Sequence, residues 1–183
     1  ILVYNKAIAD SLSKISYVPQ RESIDWNFPL NVFDVVLMGR YNAKSIFRAS
    51  SKKDKSIALE AIKKLGIEDL KDKQIGQLSG GQQQRTLIAR AIARGADLFL
   101  MDEPFAGVDA TTEQIVLGLF KSMTDEGKSI VLVHHDLYAA EKYFDHIVLL
   151  NNNLIAAGPA KEILKPEMLA KAYGNPSLVN NKA

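Results

Sequence analysis

The spacing of apolar residues changes near the middle of the chain, and the change predicts two kinds of structure. In the first half, apolar residues recur at helical spacing in segments that follow Asn31, follow Ser50 or Ser51, and begin at Gly81. In the second half, uninterrupted apolar runs of strand length alternate with helical patterns. These runs are Leu98 to Met101, Ile130 to Val133 and Ile147 to Leu150. We therefore expect helices followed by the strands of a mostly parallel sheet, with helices on both faces.

Turn-forming residues divide these segments. Pro19 ends a strand candidate over Ser16 to Val18, and the polar stretch from Gln20 to Leu30 predicts a loop. Gly66 lies where the second helix is expected to stop, and the asparagine run that ends at Asn153 predicts a turn. The other expected elements are helices over Val32 to Met38, Thr111 to Glu126 and Asp136 to Tyr143, and a strand over Leu154 to Ala156.

The composition is that of a globular domain and excludes few functions. The chain has 183 residues, of which 47% are hydrophobic, and its net charge of +2 does not indicate a nucleic-acid partner. The absence of cysteine excludes disulfides and thiolate metal sites. No apolar run approaches the roughly 18 residues that a membrane span requires. The chain starts at Ile1 in a segment that resembles the end of a hairpin, so we expect an upstream piece to be absent.

The segment Leu78 to Arg85 opens a predicted helix with Ser79, Gly80 and Gly81. Free N–H groups at a helix start, together with the positive end of the helix dipole, favour an anion such as a phosphate. The alternative is an ordinary N-cap serine followed by a flexible turn, because this combination is common in loops.

Asp102 and Glu103 follow directly after a predicted buried strand. The carboxyl edge of a parallel sheet is a common ligand site, and there one acid could hold magnesium while the other activates a water molecule. The alternative is an acidic turn closed by Pro104.

His134 and His135 follow the next predicted strand, and we expect both at the same sheet edge. A neutral imidazole there could donate a hydrogen bond to a phosphoryl oxygen. The alternatives are that they only pack, or that they bind zinc, although no third zinc ligand is evident.

Five motifs in this order resemble those of the ATP-binding-cassette (ABC) ATPase family. They are Gln20 after Tyr17-Val18-Pro19, the serine–glycine–glycine segment, Asp102-Glu103, Ala106 to Asp109, and His135. The resemblance covers nearly the whole chain and implies an α/β fold of the P-loop NTPase type. In that fold, residues 1–20 and 89–183 would form an incomplete RecA-like core, and residues 21–88 an inserted helical subdomain.

The resemblance also implies two cofactors, ATP and Mg²⁺, and a second subunit as a partner. Gln20 looks like the glutamine that senses Mg²⁺ and the membrane partner. The signature segment looks like the part that closes over the γ-phosphate of ATP bound to a second, head-to-tail subunit. Its residues are Ser79, Gly80, Gly81 and Gln82.

Four further residues acquire roles through the same resemblance. Asp102 looks like the Walker B aspartate on the Mg²⁺ side, and Glu103 looks like the catalytic base. Asp109 is similar to the aspartate that couples the two composite sites, and His135 to the switch histidine.

The family also requires a phosphate-binding loop, G-x-x-x-x-G-K followed by Ser or Thr, whose amides and lysine hold the phosphates. No such pattern precedes Gln20. The partial match Gly127-Lys128-Ser129 fails, because Ser122 stands at its first glycine and a helix leads into a strand there. We expect the chain as given to bind ATP weakly or not at all, and to be inactive by itself.

Within the family, the run from Val18 to Leu30 and the segment Val35 to Arg40 resemble importers of manganese, zinc or iron. This implies a peripheral subunit on the cytoplasmic face of the cell membrane, which drives an integral membrane permease and works indirectly with a metal-binding protein. Trp26, Phe28 and Phe33 would contact the permease, or would instead pack the subdomain's own core.

Two other interpretations remain open at this point. One is a soluble ABC ATPase that works in DNA repair or translation without a permease. The other is a truncated, non-hydrolysing interaction module that keeps the dimer and permease surfaces.

Overall fold

The computed structural model describes residues 2–41, 49–134 and 136–173. It divides into two compact units, Ile1–Val133 and His134–Ala183. The sequence did not predict this division.

The first unit contains a hairpin, a three-stranded sheet and the longer helices. In chain order its elements are β1 (Leu2–Val3), β2 (Lys6–Ala7), α1 (Ile8–Ser11), β3 (Ile15–Val18), α2 (Val32–Met38), α3 (Lys52–Lys64), α4 (Gly80–Arg94), β4 (Leu98–Met101), α5 (Ala110–Asp125) and β5 (Ser129–Leu132). Short 3₁₀ helices cover Leu12–Lys14, Arg21–Ser23, Glu68–Leu70 and Ile75–Gln77.

The sheet of the first unit is parallel, as the apolar runs predicted. Its strand order is β3-β4-β5, and Ile15 pairs with Leu98, which in turn pairs with Ser129. The helix α5 connects β4 to β5, whereas the connection from β3 to β4 carries α2, α3 and α4. The expected helical first half is thus confirmed, and it lies between two adjacent strands of one sheet.

The expected helix starts are confirmed at the level of individual hydrogen bonds. The Asn31 side chain accepts from the Asp34 backbone N–H, which caps α2. Ser51, rather than Ser50, caps α3 in a reciprocal capping box with Asp54. Hydrogen bonds from Ser51, followed by those from Arg40, lower the pKa of Asp54 to about 2. Gly66 ends α3 with φ +60°, which a glycine adopts without steric cost.

The helices α2, α3 and α4 pack against one another and form the apolar core beside β3. Their buried residues are Val32, Val35, Val36, Ala58, Ala61, Ile62, Leu87, Ile88 and Ala91. Two arginines fasten the C-terminal end of α4. Arg40 donates to the Ala93 carbonyl at 2.8 Å, and Arg94 donates to the Ile15 carbonyl at 2.7 Å. Because these bonds satisfy main-chain oxygens, they fix α4 against both α2 and β3.

The second unit contains α6 (Leu137–Tyr143), β6 (His146–Asn151), β7 (Asn153–Pro159), α7 (Ala160–Ile163) and α8 (Pro166–Tyr173). The predicted strand over Ile147 to Leu150 and the predicted turn into a strand over Leu154 to Ala156 are confirmed. In the described part of the chain, β6 pairs with β7 in an antiparallel hairpin. The tight turn at Asn152, with φ 55°, brings the following strand back at once. Leu149, Ile163 and Leu169 form the small core of this unit.

The predicted helical subdomain over residues 21–88 stays a prediction. The helix α4 continues from Gly80 to Arg94 without interruption at its proposed end. Over the three described ranges, no helix combines the length and the apolarity that crossing a membrane requires.

We predict opposite effects for alanine at two glycines. A Cβ at Gly39 would lie 2.2 Å from the Arg90 carbonyl oxygen, so Gly39→Ala should push α2 and α4 apart. We expect a loss of about 1–3 kcal/mol in the free energy of unfolding. The control is Gly118→Ala in the exposed face of α5, where a Cβ meets nothing within 4 Å and should stabilise by about 0.5–1 kcal/mol. Urea unfolding at pH 7 measures both, and equal stabilities would contradict the close helix contact.

Candidate functional site

The carboxyl ends of β3 and β4 bring three of the candidate residues to one edge of the sheet. Val18 pairs with Met101, and the Asp102 N–H donates to the Val18 carbonyl at 2.9 Å. Gln20, Asp102 and Glu103 therefore begin their loops side by side, although most of the first unit separates them in sequence. On the other side of β4, the Val133 N–H donates to the Met101 carbonyl at 3.0 Å, so β5 ends at the same edge.

Glu103 has an uncommon backbone conformation. Its φ of 46° lies in the left-handed region, where a side chain with a Cβ is disfavoured. The Ala106 N–H donates to the Glu103 carbonyl at 3.1 Å, and the buried Pro104 lies within this turn. Because the turn imposes this conformation, the backbone sets the direction in which the Glu103 side chain leaves the main chain. Asp102 and Glu103 are both half-buried.

The loop after Glu103 is fixed at both ends. Phe105 is buried and lies against Phe120 of α5, with ring centroids 6.0 Å apart. At the other end, Asp109 caps α5: it accepts from the Thr112 N–H at 3.0 Å and from the Thr112 hydroxyl at 2.7 Å. These hydrogen bonds from Thr112 lower the pKa of Asp109 below its usual value. The carboxylate of Asp109 is therefore ionised at neutral pH.

The signature segment begins α4 with a capping box. The Gln82 N–H donates to the Ser79 hydroxyl at 3.3 Å, and the Ser79 N–H donates to the Gln82 side-chain oxygen at 3.0 Å. A Cβ at Gly81 would lie 3.1 Å from the Gly107 carbonyl oxygen. The start of α4 therefore lies against the loop between Glu103 and Asp109. The sequence alternative of an N-cap serine is also correct, because Ser79 is that cap.

Gln20 is exposed at the start of a 3₁₀ turn. Its main-chain carbonyl accepts from the Ser23 hydroxyl at 2.7 Å and from the Ser23 N–H at 3.1 Å. The turn is thus held by the main chain of Gln20, and its side-chain amide takes no part in the cap.

The two histidines stay untested as residues of this site. His135 lies outside the described residues, so its predicted role stays a prediction. His134 belongs to the second unit, where its ring contacts Phe144 edge to face with centroids 5.8 Å apart. This contact supports the packing alternative for His134. In the part of the chain that the structure describes, no three His, Cys, Asp or Glu side chains are grouped to hold a metal ion.

The sequence analysis assigned nothing to Arg21, which follows Gln20. Its guanidinium donates to the Gln83 side-chain oxygen at 3.3 Å and so joins the loop after β3 to α4. The signal was available, since an arginine beside a proposed ligand residue is a candidate for a positioning contact.

A parallel sheet flanked by helices, with its candidate residues in the loops at the carboxyl ends of the strands, defines an α/β nucleotide-binding domain of the P-loop NTPase type. The ABC transporter family model matches residues 3–106, more than half of the chain. The chain therefore belongs to the ABC transporter family. The matched part includes Gln20, the signature segment, Asp102 and Glu103.

Individual relatives agree with the family assignment. The manganese transport system ATP-binding protein MntB of Halalkalibacterium halodurans is 48% identical over the whole chain, which covers 73% of that protein. The zinc transport system ATP-binding protein TroB of Treponema pallidum is 44% identical over 95% of the chain, which covers 65% of that protein. A solved metal-chelate type ABC transporter in an inward-facing conformation has a TM-score of 0.77 and 32% identity. The similarity extends over 88% of this chain and 64% of the solved chain.

We predict that Thr112→Val raises the pKa of Asp109 toward the usual value of about 3.9, because the hydroxyl donor to the carboxylate is lost. Since the folded pKa is lowered, the cap stabilises the fold above about pH 4 and loses this effect as the pH falls through the folded value. NMR titration of the Asp109 carboxylate measures the shift. Thr111→Val, in the same helical turn, is the control, and an unchanged Asp109 pKa in Thr112→Val would refute the explanation.

Proposed function

We propose that this chain is part of the ATP-hydrolysing subunit of an ABC importer for a divalent metal, manganese, zinc or iron. The observation that carries the proposal is the convergence of Gln20, Asp102 and Glu103 on one edge of a parallel sheet. The printed names of relatives that transport manganese and zinc support the choice of cargo.

The donor groups at this edge fit a hard cation bound together with a nucleotide. Asp102 offers carboxylate oxygens and Gln20 an amide oxygen, and oxygen ligands of this kind suit Mg²⁺. Both residues would hold the ion against the phosphates of ATP. When bound, Mg²⁺ would neutralise charge on the phosphates and orient them.

In this proposal Glu103 accepts a proton from the water that attacks the γ-phosphate. Glu103 is half-buried, and its left-handed backbone conformation sets the direction in which its side chain leaves the main chain. A base held in one orientation accelerates proton transfer, because less reorientation is needed to reach the transition state. His135 would place the same water as the switch histidine.

The start of α4 would contact ATP bound to a second, head-to-tail subunit. Ser79, Gly80, Gly81 and Gln82 offer main-chain N–H groups and the positive end of the helix dipole, both of which favour a phosphate. Asp109 would couple the two composite sites, since the loop that precedes it lies against Gly81.

The ATPase would work at the cytoplasmic face of the cell membrane, bound to an integral membrane permease. A separate binding protein and the permease would handle the transported metal. The cargo therefore requires no metal ligand on this chain. The 183 residues contain no G-x-x-x-x-G-K pattern followed by Ser or Thr, so the tests use the complete translated protein.

We predict that Glu103→Gln slows ATP hydrolysis by roughly 10²- to 10⁴-fold, or about 3–5 kcal/mol of barrier, because glutamine cannot accept the proton. Binding of an ATP analogue with Mg²⁺ should be unchanged. Hydrolysis and binding are measured on the complete protein, with Glu126→Gln at the exposed end of α5 as the control. Wild-type turnover in Glu103→Gln would remove the proposed base. Failure of the unaltered protein to bind nucleotide would instead favour a non-hydrolysing module.

The proposed permease contact can be tested at Phe28. Its side chain is 60% exposed, whereas Trp26 is half-buried and donates its ring N–H to the Arg21 carbonyl at 2.9 Å. Phe28→Ala should reduce co-purification with the permease roughly tenfold, about 1.4 kcal/mol, and leave thermal stability unchanged. Ile115→Ala removes a comparably exposed apolar residue from α5 and serves as the control. Equal recovery of the permease by both variants would contradict the contact.

A further inference from the structure

Arg21 joins the loop after β3 to the start of α4. Its Nη1 donates to the Gln83 Oε1 at 3.3 Å, and its Nη2 lies 3.2 Å from the Glu22 carboxylate. Gln83 is buried, and it is the first residue after the signature segment. The side chain that follows Gln20 thus reaches the helical turn that carries Ser79 to Gln82.

The guanidinium also packs directly on the main chain of Gly80. A Cβ at Gly80 would lie 3.0 Å from the Arg21 Nη1 and 3.3 Å from its Cζ. Because Gly80 has no side chain, the flat guanidinium can approach the first turn of α4. A cation at a helix start opposes the helix dipole, so the Gln83 oxygen and the Glu22 carboxylate must hold Arg21 there.

A second set of contacts closes this link into a ring. The Trp26 ring N–H donates to the Arg21 carbonyl at 2.9 Å, and the Gln83 side-chain amide donates to the Ile75 carbonyl at 3.1 Å. A Cβ at Gly76 would lie only 2.9 Å from the Trp26 carbonyl oxygen, so the main chains there are in close contact. Each member of the ring is therefore fixed from two sides.

We propose that Arg21 is a positioning residue that fixes the signature segment relative to Gln20, acting through the Gln83 side chain and the main chain of Gly80. A displacement of the loop that carries Trp26 would then reach the start of α4 through this ring. This proposal rests on the function proposed above, because that function assigns the signature segment to ATP. The contacts of Arg21 with Gln83 and Gly80 do not depend on bound nucleotide.

Arginine suits this position better than lysine. The guanidinium is planar and donates from several nitrogens, so it contacts Gln83 and Glu22 while it lies against Gly80. A lysine would keep the charge and could donate to only part of this set. Arg21→Lys should therefore restore part of the function that Arg21→Ala loses.

The first experiment measures amide hydrogen exchange in the complete protein without nucleotide. Arg21→Ala should accelerate exchange at residues 79–83 roughly tenfold, with little change at the C-terminal end of α4. The control is Arg40→Ala, which removes the bond to the Ala93 carbonyl and should loosen the opposite end of the same helix. Unchanged exchange at residues 79–83 in Arg21→Ala, or the same pattern in both variants, would overturn the proposal.

The second experiment follows ATP hydrolysis by the complex with the permease. Arg21→Ala should lower kcat roughly 10- to 100-fold with little change in KM, since a misplaced signature segment impairs the reacting geometry. Gln83→Leu should also lower kcat, and the double variant should lose less than the product of the two single losses, because both substitutions remove the contact between Arg21 and Gln83. Additive losses would show that Arg21 does not act through Gln83.

Two results separate this inference from the proposed function. If the unaltered complex does not hydrolyse ATP, the proposed function is refuted. The exchange experiment alone then tests whether Arg21 fixes the start of α4. An active complex whose Arg21→Ala variant keeps full kcat would refute the inference alone. If Arg21→Ala does not fold, Arg21→Lys is measured in its place. Wild-type exchange and wild-type kcat in Arg21→Lys would refute the proposal that the guanidinium is required.

Discussion

The parallel pairing of β3 with β4 is the contact on which the rest of the first unit depends. Four residues of each strand pair in register, and the ladder continues by one bond from the Asp102 N–H to the Val18 carbonyl. Residues 19–97 connect the two strands, and closing so long a connection costs conformational entropy. The helices α2, α3 and α4 offset this cost by burying an apolar core within the connection. The candidate site forms where β3 and β4 end side by side, at the same edge of the sheet.

The helix α4 links that core to the site. Its C-terminal end is fastened to α2 and β3 by arginines that donate to main-chain oxygens, and its start carries the signature segment. A rigid helix transmits a shift at one end to the other with little loss, because its internal hydrogen bonds resist bending. Close main-chain contacts at Gly39, Gly80 and Gly81 bring it against α2, Arg21 and the loop before Asp109. The glycines thus set how near the neighbouring elements come.

Sequence reasoning identified the first unit well because local signals there agree with the fold. Asn31 and Ser51 cap the helices that their positions predict, and the apolar runs at β4 and β5 become adjacent parallel strands. It left the partner of β6 open, because an apolar run of strand length has the same appearance in a parallel sheet and in a hairpin. The asparagine run did predict the turn at Asn152 that joins β6 to β7. The place of Arg21 beside Gln20 marks it as a candidate for a positioning contact, but its partner Gln83 could not be predicted, since no periodicity links residues so distant in sequence.

The candidate site residues differ in whether their side chains already make hydrogen bonds within the chain. Gln20 and Glu103 accept hydrogen bonds at their main-chain carbonyls, and these bonds do not engage the side-chain amide or carboxylate. Asp109 is different, because each of its carboxylate oxygens already accepts a hydrogen bond from Thr112. An oxygen of this kind retains a further lone pair, so Asp109 can accept from a second subunit without leaving α5. If it instead released Thr112 to make that contact, the start of α5 would lose its cap. A coupling role for Asp109 therefore implies that one carboxylate both caps α5 and contacts the second subunit. A change in the contact between subunits would then change the stability of the start of α5, and the reverse.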